Sequence, residues 1–514
     1  MASDTPPAGP VQPNILFIQA DQMTALALRA YGNPTSITPK LDQLAGGGVV
    51  FENAYCNFPL CAPSRYSMMT GRLASKVGAY DNGAELAASS PTMAHYLRNL
   101  GYRTALSGKM HFCGPDQLHG YEARLTSDIY PSDFSWSADW QATEHTDLTD
   151  TRMVTKSGLC EDSVQLRYDT RVTQESVAFI KDHAANGDGR PLFLTASYTH
   201  PHDPFVCTEE FWSLYDDVEI PMPEVGSIPA SERDGHSLNL MRQAGLLSAS
   251  FEDHEIRRAR RGYYGAVSFI DAQIAQLCAA LEEAGLATNT IIVFTSDHGE
   301  MLGERGMWLK KNFFEPAMRV PLIVHYPASY RAGRVQDLVS LVDLLPSFAA
   351  MGNGGEPVPA CGALDGESLV PLLTGGEAAP RAVFAEILSE GVNAPAFMIR
   401  RGDYKYIHSG EHPAQMFHLP GDPQELSNLI CHPDHAEAEA ALRAEVAERW
   451  DEAGLTQEIL GDQQRRLFVQ RALEEGRYTP WDHDAGGEVQ KDWFRGQTTY
   501  NEWAFDYTPA KRGG

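Results

Sequence analysis

The chain has 514 residues, 43% hydrophobic and 21% charged, an ordinary globular composition that excludes disordered and fibrous classes. Asp and Glu number 68 against 41 Lys and Arg, for a formal net charge of -27, so no nucleic-acid or anionic-membrane partner is expected. The first thirteen residues lack a basic-then-apolar leader pattern, no membrane-length apolar run stands out, and eight scattered cysteines without CxxC spacing fit neither a disulfide framework nor a zinc ribbon; the expected location is the cytoplasm.

The first strand is expected at 14–20 (NILFIQA), an uninterrupted apolar run of the kind buried on both faces of a parallel sheet, and it delivers Asp21-Gln22 at its C-terminal end. In α/β folds ligands sit at that end of the strands. Ser90-Pro91 reads as a cap and first turn of a helix stopped by Gly101. Further strands are expected at 102–107, 192–198, 291–296 and 320–325, alternating with helical stretches. The longest of these, 257–284, carries Tyr263, Val267, Ile270, Ile274, Leu277 and Leu281 on one face, with Gly285 as its stop. Beyond residue 381 the pattern becomes short strands, 382–387 and 397–408, the second folded back at Arg401-Gly402-Asp403. From about 463 the chain is charged and aromatic without a core period. This divides the chain into 1–380, 381–462 and a tail, 463–514, expected to dock on a second subunit.

Four distant segments place polar residues at strand ends or helix starts: Asp21-Gln22, Cys61-Ala-Pro-Ser-Arg65, Gly108-Lys-Met-His111 and Asp297-His298. Singly, each has an ordinary structural explanation. Together, their types fit one anion-cleaving metal site. Cys-x-Pro-x-Arg is the most specific, since this composition supplies about 0.04 chance matches. Pro63 suits the first turn of a helix stopped by Gly71, which sets position 61 at a positive helix N-terminus with Arg65 one turn in.

Cys61 to Arg65 followed by Thr70-Gly71-Arg72 resembles the signature of the type I sulfatases, a branch of the alkaline-phosphatase-like superfamily. The resemblance extends through Tyr80-Asp-Asn82, Ser107 to His111, Pro201-His-Asp-Pro204, Asp297-His-Gly299, Lys310 to Glu315 and Met416 to Leu419. Tyr80 to Asn82, Gly114 to Gly120, Thr199 to Pro204, Gly303 to Gly306 and Tyr478-Thr-Pro-Trp-Asp482 are most similar to the choline-sulfatase branch. The resemblance implies an α/β/α sandwich with a mostly parallel central sheet, a smaller C-terminal α+β domain with an antiparallel sheet, and hydrolysis of a sulfate ester. It implies that a formylglycine-generating enzyme oxidises Cys61 to formylglycine, whose hydrated form is the nucleophile. It also implies one divalent cation on Asp21, Gln22, Asp297 and His298, with Arg65, Lys109, His111, His202 and Lys310 around the sulfate and Asn82 as a further contact. His200, two residues before His202, is a second candidate. Trp136 and Glu386 match a cation subsite. The imidazole of His298 makes Mn2+ a competitor to Ca2+. The implied substrate is a small alkyl sulfate, choline sulfate before others, with aryl sulfates and phosphonate or phosphodiester monoesters as alternatives and a non-catalytic binding protein as a remote one. The implied assembly is a homodimer or homotetramer, with the C-terminal extension reaching a neighbouring subunit.

Overall fold

A computed structural model describes residues 12–129, 133–142, 150–377, 379–477 and 499–510. Eight strands form one twisted sheet in the order Gly333–Ser340, Val49–Tyr55, Leu322–His325, Thr290–Ser296, Asn14–Ala20, Leu192–Ser197, Arg103–Gly108, Ala123–Arg124. Every neighbouring pair is parallel except the two made by Leu322–His325. Asn14–Ala20 is central and buried throughout, as an apolar run covered on both faces should be. Val49–Tyr55 and Gly333–Ser340 were not expected as strands. Polar Glu52 and Asn53 interrupt the first, and Arg334, Gln336 and Asp337 give the second an edge-strand composition.

Helices Val164–Asn186 and Asp253–Glu283 pack together on one side of the sheet, and Cys61–Thr70, Met93–Asn99 and Leu344–Gly352 pack together on the other. Asp253–Glu283 begins four residues before the expected start at 257, because Glu252 and Glu255 form a capping box. It is long and apolar enough to cross a membrane by length and composition, but most of its apolar window is buried in the fold. The helix expected from Ser90 starts at Met93, because Thr92 takes the cap position, with the His95 ring accepting from the Thr92 backbone N–H.

The second, four-stranded sheet is antiparallel, in chain order Ala382–Ile387, Ala396–Arg401, Tyr404–Ser409, Gln415–His418; Gly402 takes φ 53° in the turn between the middle pair. It is tied to the main body by Lys405, fully buried, whose ammonium meets Glu315 at 2.6 Å and Glu425 at 2.7 Å. The boundary expected at 462 falls inside a helix, Glu452–Glu474. Its charged residues obscure a periodicity that is half-exposed, while Leu455, Ile459, Gln463 and Arg466 face inward.

Candidate active site

Strand register assembles the site. Ala20 lies beside Ser296, Gln19 beside Thr295 and Ser197, and Gly108 beside Ser197, so the residues that leave these strands, Asp21, Asp297 and Lys109, emerge at one edge. Gly108 is required there: its φ is 108°, and a Cβ would fall 1.8 Å from the Ser197 carbonyl oxygen. Helix Cys61–Thr70 points its N-terminus at the same edge. Its N-cap, Leu60, has no side-chain acceptor, so Asn82 Oδ1 accepts from the Ala62 N–H at 3.0 Å. Asn82 therefore stands beside the helix start as its cap.

The donor atoms of Asp21, Cys61, Asp297 and His298 all lie within 4.8 Å of one another. Cys61 Sγ is 3.3 Å from His298 Nε2 and 3.9 Å from Asp21 Oδ1. His298 Nδ1 faces the Gly299 carbonyl at 3.0 Å, which assigns the ring proton to Nδ1 and turns the Nε2 lone pair toward the two carboxylates. Burial first, and Lys310 after it, push His298 down to about 4, so the ring is neutral and able to ligate. Gln22 joins through its backbone N–H on Asp297 Oδ1, 3.1 Å, and holds φ 63°. Two carboxylates, a neutral imidazole and an amide suit a hard-to-borderline divalent cation. Burial opposes charge on Asp21, but Lys109 and Arg65 outweigh it and hold the carboxyl well below its usual range. Burial, then Asp21, raises the Cys61 thiol to about 11.

Cations surround this cluster. Lys109 Nζ donates to Asp21 and stands 3.8 Å from Cys61 Sγ. Lys310 Nζ donates to Gln22 Oε1 and lies 2.9 Å from His202 Nε2. Because an ammonium only donates, His202 Nε2 accepts, and its Nδ1–H is directed at the Asp203 carbonyl, 3.0 Å. Burial and Lys310 lower His202 well below its ordinary value; burial and Lys109 do the same to His111. His111 stands with its ring edge-on to Trp136, centroids 5.3 Å apart. Arg65 lies between Asp21 and Asp297. Its Nε donates to Asp297 at 2.8 Å, Nη2 to Asp21 at 2.9 Å, and Nη1 to the Lys109 carbonyl at 2.6 Å and Ser197 Oγ at 2.9 Å. It braces the two carboxylates.

Two expected residues are held by groups outside the ligand cluster. The His200 ring is taken by Asp169, 2.7 Å, which also accepts the backbone N–H groups of Thr199 and His200. The Glu386 carboxylate accepts from Ser75 N, Ser75 Oγ and Trp450 Nε1 at 2.6–2.8 Å; these bonds fasten the small sheet to the body. Spacing in sequence found the right segment in each case, and local hydrogen-bond partners decided the role.

A family model for sulfatases matches residues 13–354. The chain belongs to the sulfatase family. A second model, the C-terminal domain of N-sulphoglucosamine sulphohydrolase, matches residues 303–452 of this sulfatase. It is 40% identical over 482 residues to a choline-sulfatase of Rhizobium meliloti, covering 92% of this chain and 93% of that one. An arylsulfatase of Clostridium perfringens is 28% identical, over 84% and 93% of the two chains. The fold is shared with the phosphonate monoester hydrolase of Agrobacterium radiobacter, at 24% identity and TM-score 0.69, covering 85% of this chain and 95% of that one. The sulfatase is thus a sulfuric ester hydrolase on the alkaline-phosphatase-like scaffold expected from its motifs.

Sequence reasoning missed what closes the site. Asp21, Gln22, Cys61, Arg65, Lys109, His111, His202, Asp297, His298 and Lys310 are each at most 5% exposed. Tyr500, from the short helix Tyr500–Ala504, lies over them. Its hydroxyl is 3.2 Å from His202 Nδ1 and donates to the Asp203 carbonyl at 3.1 Å, and its ring meets Trp136 edge-on at 5.8 Å. Thr508–Pro509 then pairs with Gly158–Asp162. In the single chain the described tail residues, 499–510, pack on this surface. Tyr500, Trp503, Phe505 and Tyr507 find cover on that surface; Tyr478 to Asp482, Trp493 and Phe494 lie outside the described residues. Arg466, read from sequence as part of an assembly element, donates to both oxygens of Asp81, at 2.5 and 2.8 Å, and to Ser137 Oγ at 2.9 Å. That bond set holds the Tyr80-Asp-Asn82 loop against the Trp136 segment. A separate cavity of 880 Å³, bounded by Thr24, Arg260, Tyr264, Glu300, Arg305 and Arg319, lies behind the cluster, and none of the ten residues named above lines it.

Proposed function

We propose that this sulfatase hydrolyses choline sulfate to choline and sulfate. The observation that carries the reading is an anion cradle, Lys109, Lys310, His111 and His202 around Cys61, roofed by the aromatic rings of Trp136 and Tyr500. A quaternary ammonium has no N–H to donate and is held by aromatic faces. A zwitterion also carries no net charge to be repelled by a chain of formal charge -27.

Asp21, Gln22, Asp297 and His298 are the proposed ligands of one divalent cation, Mn2+ or Ca2+, and Cys61 the precursor of formylglycine made by a formylglycine-generating enzyme. The cation would supply charge to the sulfate oxygens and the hydrated aldehyde the attacking oxygen. The chain's own residues do the rest. Arg65 fixes both carboxylates, Lys109 stands at the position of attack, and the Lys310–His202 pair holds a proton where the leaving alcohol needs one. Burial of the cluster keeps bulk water out.

A second reading, cleavage of phosphonate or phosphodiester monoesters, is supported by the fold shared with the phosphonate monoester hydrolase and by the amide and imidazole in the donor set. The mass of the peptide containing position 61, with product release from choline sulfate, an aryl sulfate and a phosphonate monoester side by side, tests both readings. A turnover ratio that favours the aryl sulfate sinks the choline proposal. A cytoplasmic site of action is proposed on eight free thiols, which fit a reducing compartment. A homodimer or homotetramer is proposed on Phe468, 66% exposed on helix Glu452–Glu474, and light scattering decides it.

A further inference from the structure

Glu300 lies between two segments the chemistry needs, bonded to Gln22 on one side and to Leu309, next to Lys310, on the other. It is fully buried. One carboxylate oxygen, Oε2, accepts from Gln22 Nε2 at 2.6 Å; the other accepts from the backbone N–H groups of Leu302, 2.8 Å, and Leu309, 2.7 Å. Gln22 in turn presents Oε1 to Lys310 Nζ. The two ends of an amide are hard to tell apart by shape alone, but here partner chemistry assigns them. The Lys310 ammonium can only donate, which sets Gln22 Oε1 toward it and leaves Nε2 to donate to Glu300, so Gln22 has a single allowed orientation. Leu309, which Glu300 also holds, precedes Lys310 and sits at φ 67°, with Lys311 at 73° and Gln22 at 63°. Three side-chain-bearing residues in the left-handed region need a surrounding anchor.

We infer that Glu300 is a positioning residue that forces the Gln22 amide to face the cation with its oxygen and sets Lys310 beside it. The inference rests on Gln22 being a metal ligand, as proposed above. It makes a specific claim about Glu300→Gln, a substitution of nearly unchanged shape. The new amide oxygen must serve Leu302 and Leu309, which leaves its NH2 against the NH2 of Gln22. Gln22 then has to turn over, and a nitrogen with two hydrogens faces both Lys310 and the cation. Exchanging the two side chains, Gln22→Glu with Glu300→Gln, restores the pattern of donor to acceptor and returns an oxygen to the metal.

The test is Mn2+ and Ca2+ affinity by calorimetric titration of EDTA-treated full-length protein, with thermal unfolding in EDTA recorded for each variant. Glu300→Gln is expected to bind about 10- to 100-fold more weakly, the range for residues that orient a ligand, and the exchanged double variant to return to within about threefold of wild type. A purely structural role for Glu300 would not be rescued by moving the charge to position 22. Wild-type affinity in Glu300→Gln overturns the inference, as does a folded double variant no better than the single one. If Glu300→Gln fails to fold, the double variant still has to fold and bind. Gln22→Ala separates the two levels: wild-type affinity there removes Gln22 from the ligand set and this inference with it, whereas a loss in Gln22→Ala beside full affinity in Glu300→Gln removes only the inference.

Discussion

The C-terminal edge of the large sheet and the C-terminal segment from residue 463 are built on opposite plans, although both end up around the same thiol. At the sheet edge each functional residue leaves a buried strand or opens a helix, so backbone register places it: Asp21, Asp297 and Lys109 follow from three neighbouring pairings. The C-terminal segment is placed mainly by side chains, Arg466 on Asp81 and Tyr500 on Asp203, with one short backbone ladder of Thr508–Pro509 on Gly158–Asp162, and it carries no periodicity that announces this. Strand ends make a rigid site, and a segment held by a few polar bonds makes a cover that substitution can loosen without disturbing the chemistry beneath.

The sharpest way to break this contrast is at the sheet edge. Cys61→Ala and Cys61→Ser are expected to fold with unchanged thermal stability and to lose nearly all sulfate release, since the nucleophile precursor is gone. Either variant keeping more than about a tenth of the wild-type kcat defeats the assignment. Next comes Asp297→Asn, which removes a charge shared by the proposed cation and Arg65 (2.8 Å). Turnover should fall about 100-fold or more, with metal content by elemental analysis falling in parallel; a loss of turnover at full metal content would put the cation elsewhere.

This difference in plan also explains what could be read in advance. The strands 14–20, 192–198 and 291–296 were legible because burial on both faces leaves no room for polar residues, and the residues ending them inherited a place. Cys-x-Pro-x-Arg was legible because its spacing is rare. Val49–Tyr55 was not, since Glu52 and Asn53 break the apolar run where Glu52 turns outward to Arg319 and Arg334. The roles of His200, Arg65 and Glu386 were not legible either. Each depends on a partner, Asp169, Asp21 with Asp297, or Trp450, that is remote in sequence and unmarked by any local pattern.

A middle-sized effect sharpens the comparison at the joint between the two regions. Arg466→Ala leaves Asp81 buried, with the backbone N–H groups of Gly83 and Ala138 as its remaining partners among the described residues. Breaking a buried ion pair on one side should cost about 3 kcal/mol of stability, read as a lowered unfolding midpoint in urea. Because Asp81 holds the loops of Asn82 and Trp136, KM for choline sulfate should rise more than kcat falls. Equal changes in KM for choline sulfate and for a small aryl sulfate would mean that the loop supports the fold but not the cation-binding end of the pocket.

The smallest effect decides where the cover belongs. Tyr500→Phe keeps the ring against Trp136 and His202 and removes only the hydroxyl that donates to the Asp203 carbonyl. One such bond contributes about 1 kcal/mol, or about a fivefold change in kcat/KM. Tyr500→Ala, which removes the ring too, should do more to choline sulfate than to an aryl sulfate, since an aryl leaving group brings its own apolar surface. Complementation then distinguishes a cover made by the same chain from one lent by a neighbour. In an oligomer that lends its tails, mixed subunits of Cys61→Ala and Tyr500→Ala regain a complete site at some positions, with an intact thiol under an intact tyrosine. With residues 499–510 folded on their own chain, neither subunit in the mixture has both. The expected outcome of coexpression is therefore no activity beyond that of Tyr500→Ala alone; recovery toward wild-type KM would move the tail across a subunit interface and leave the sheet-edge site untouched.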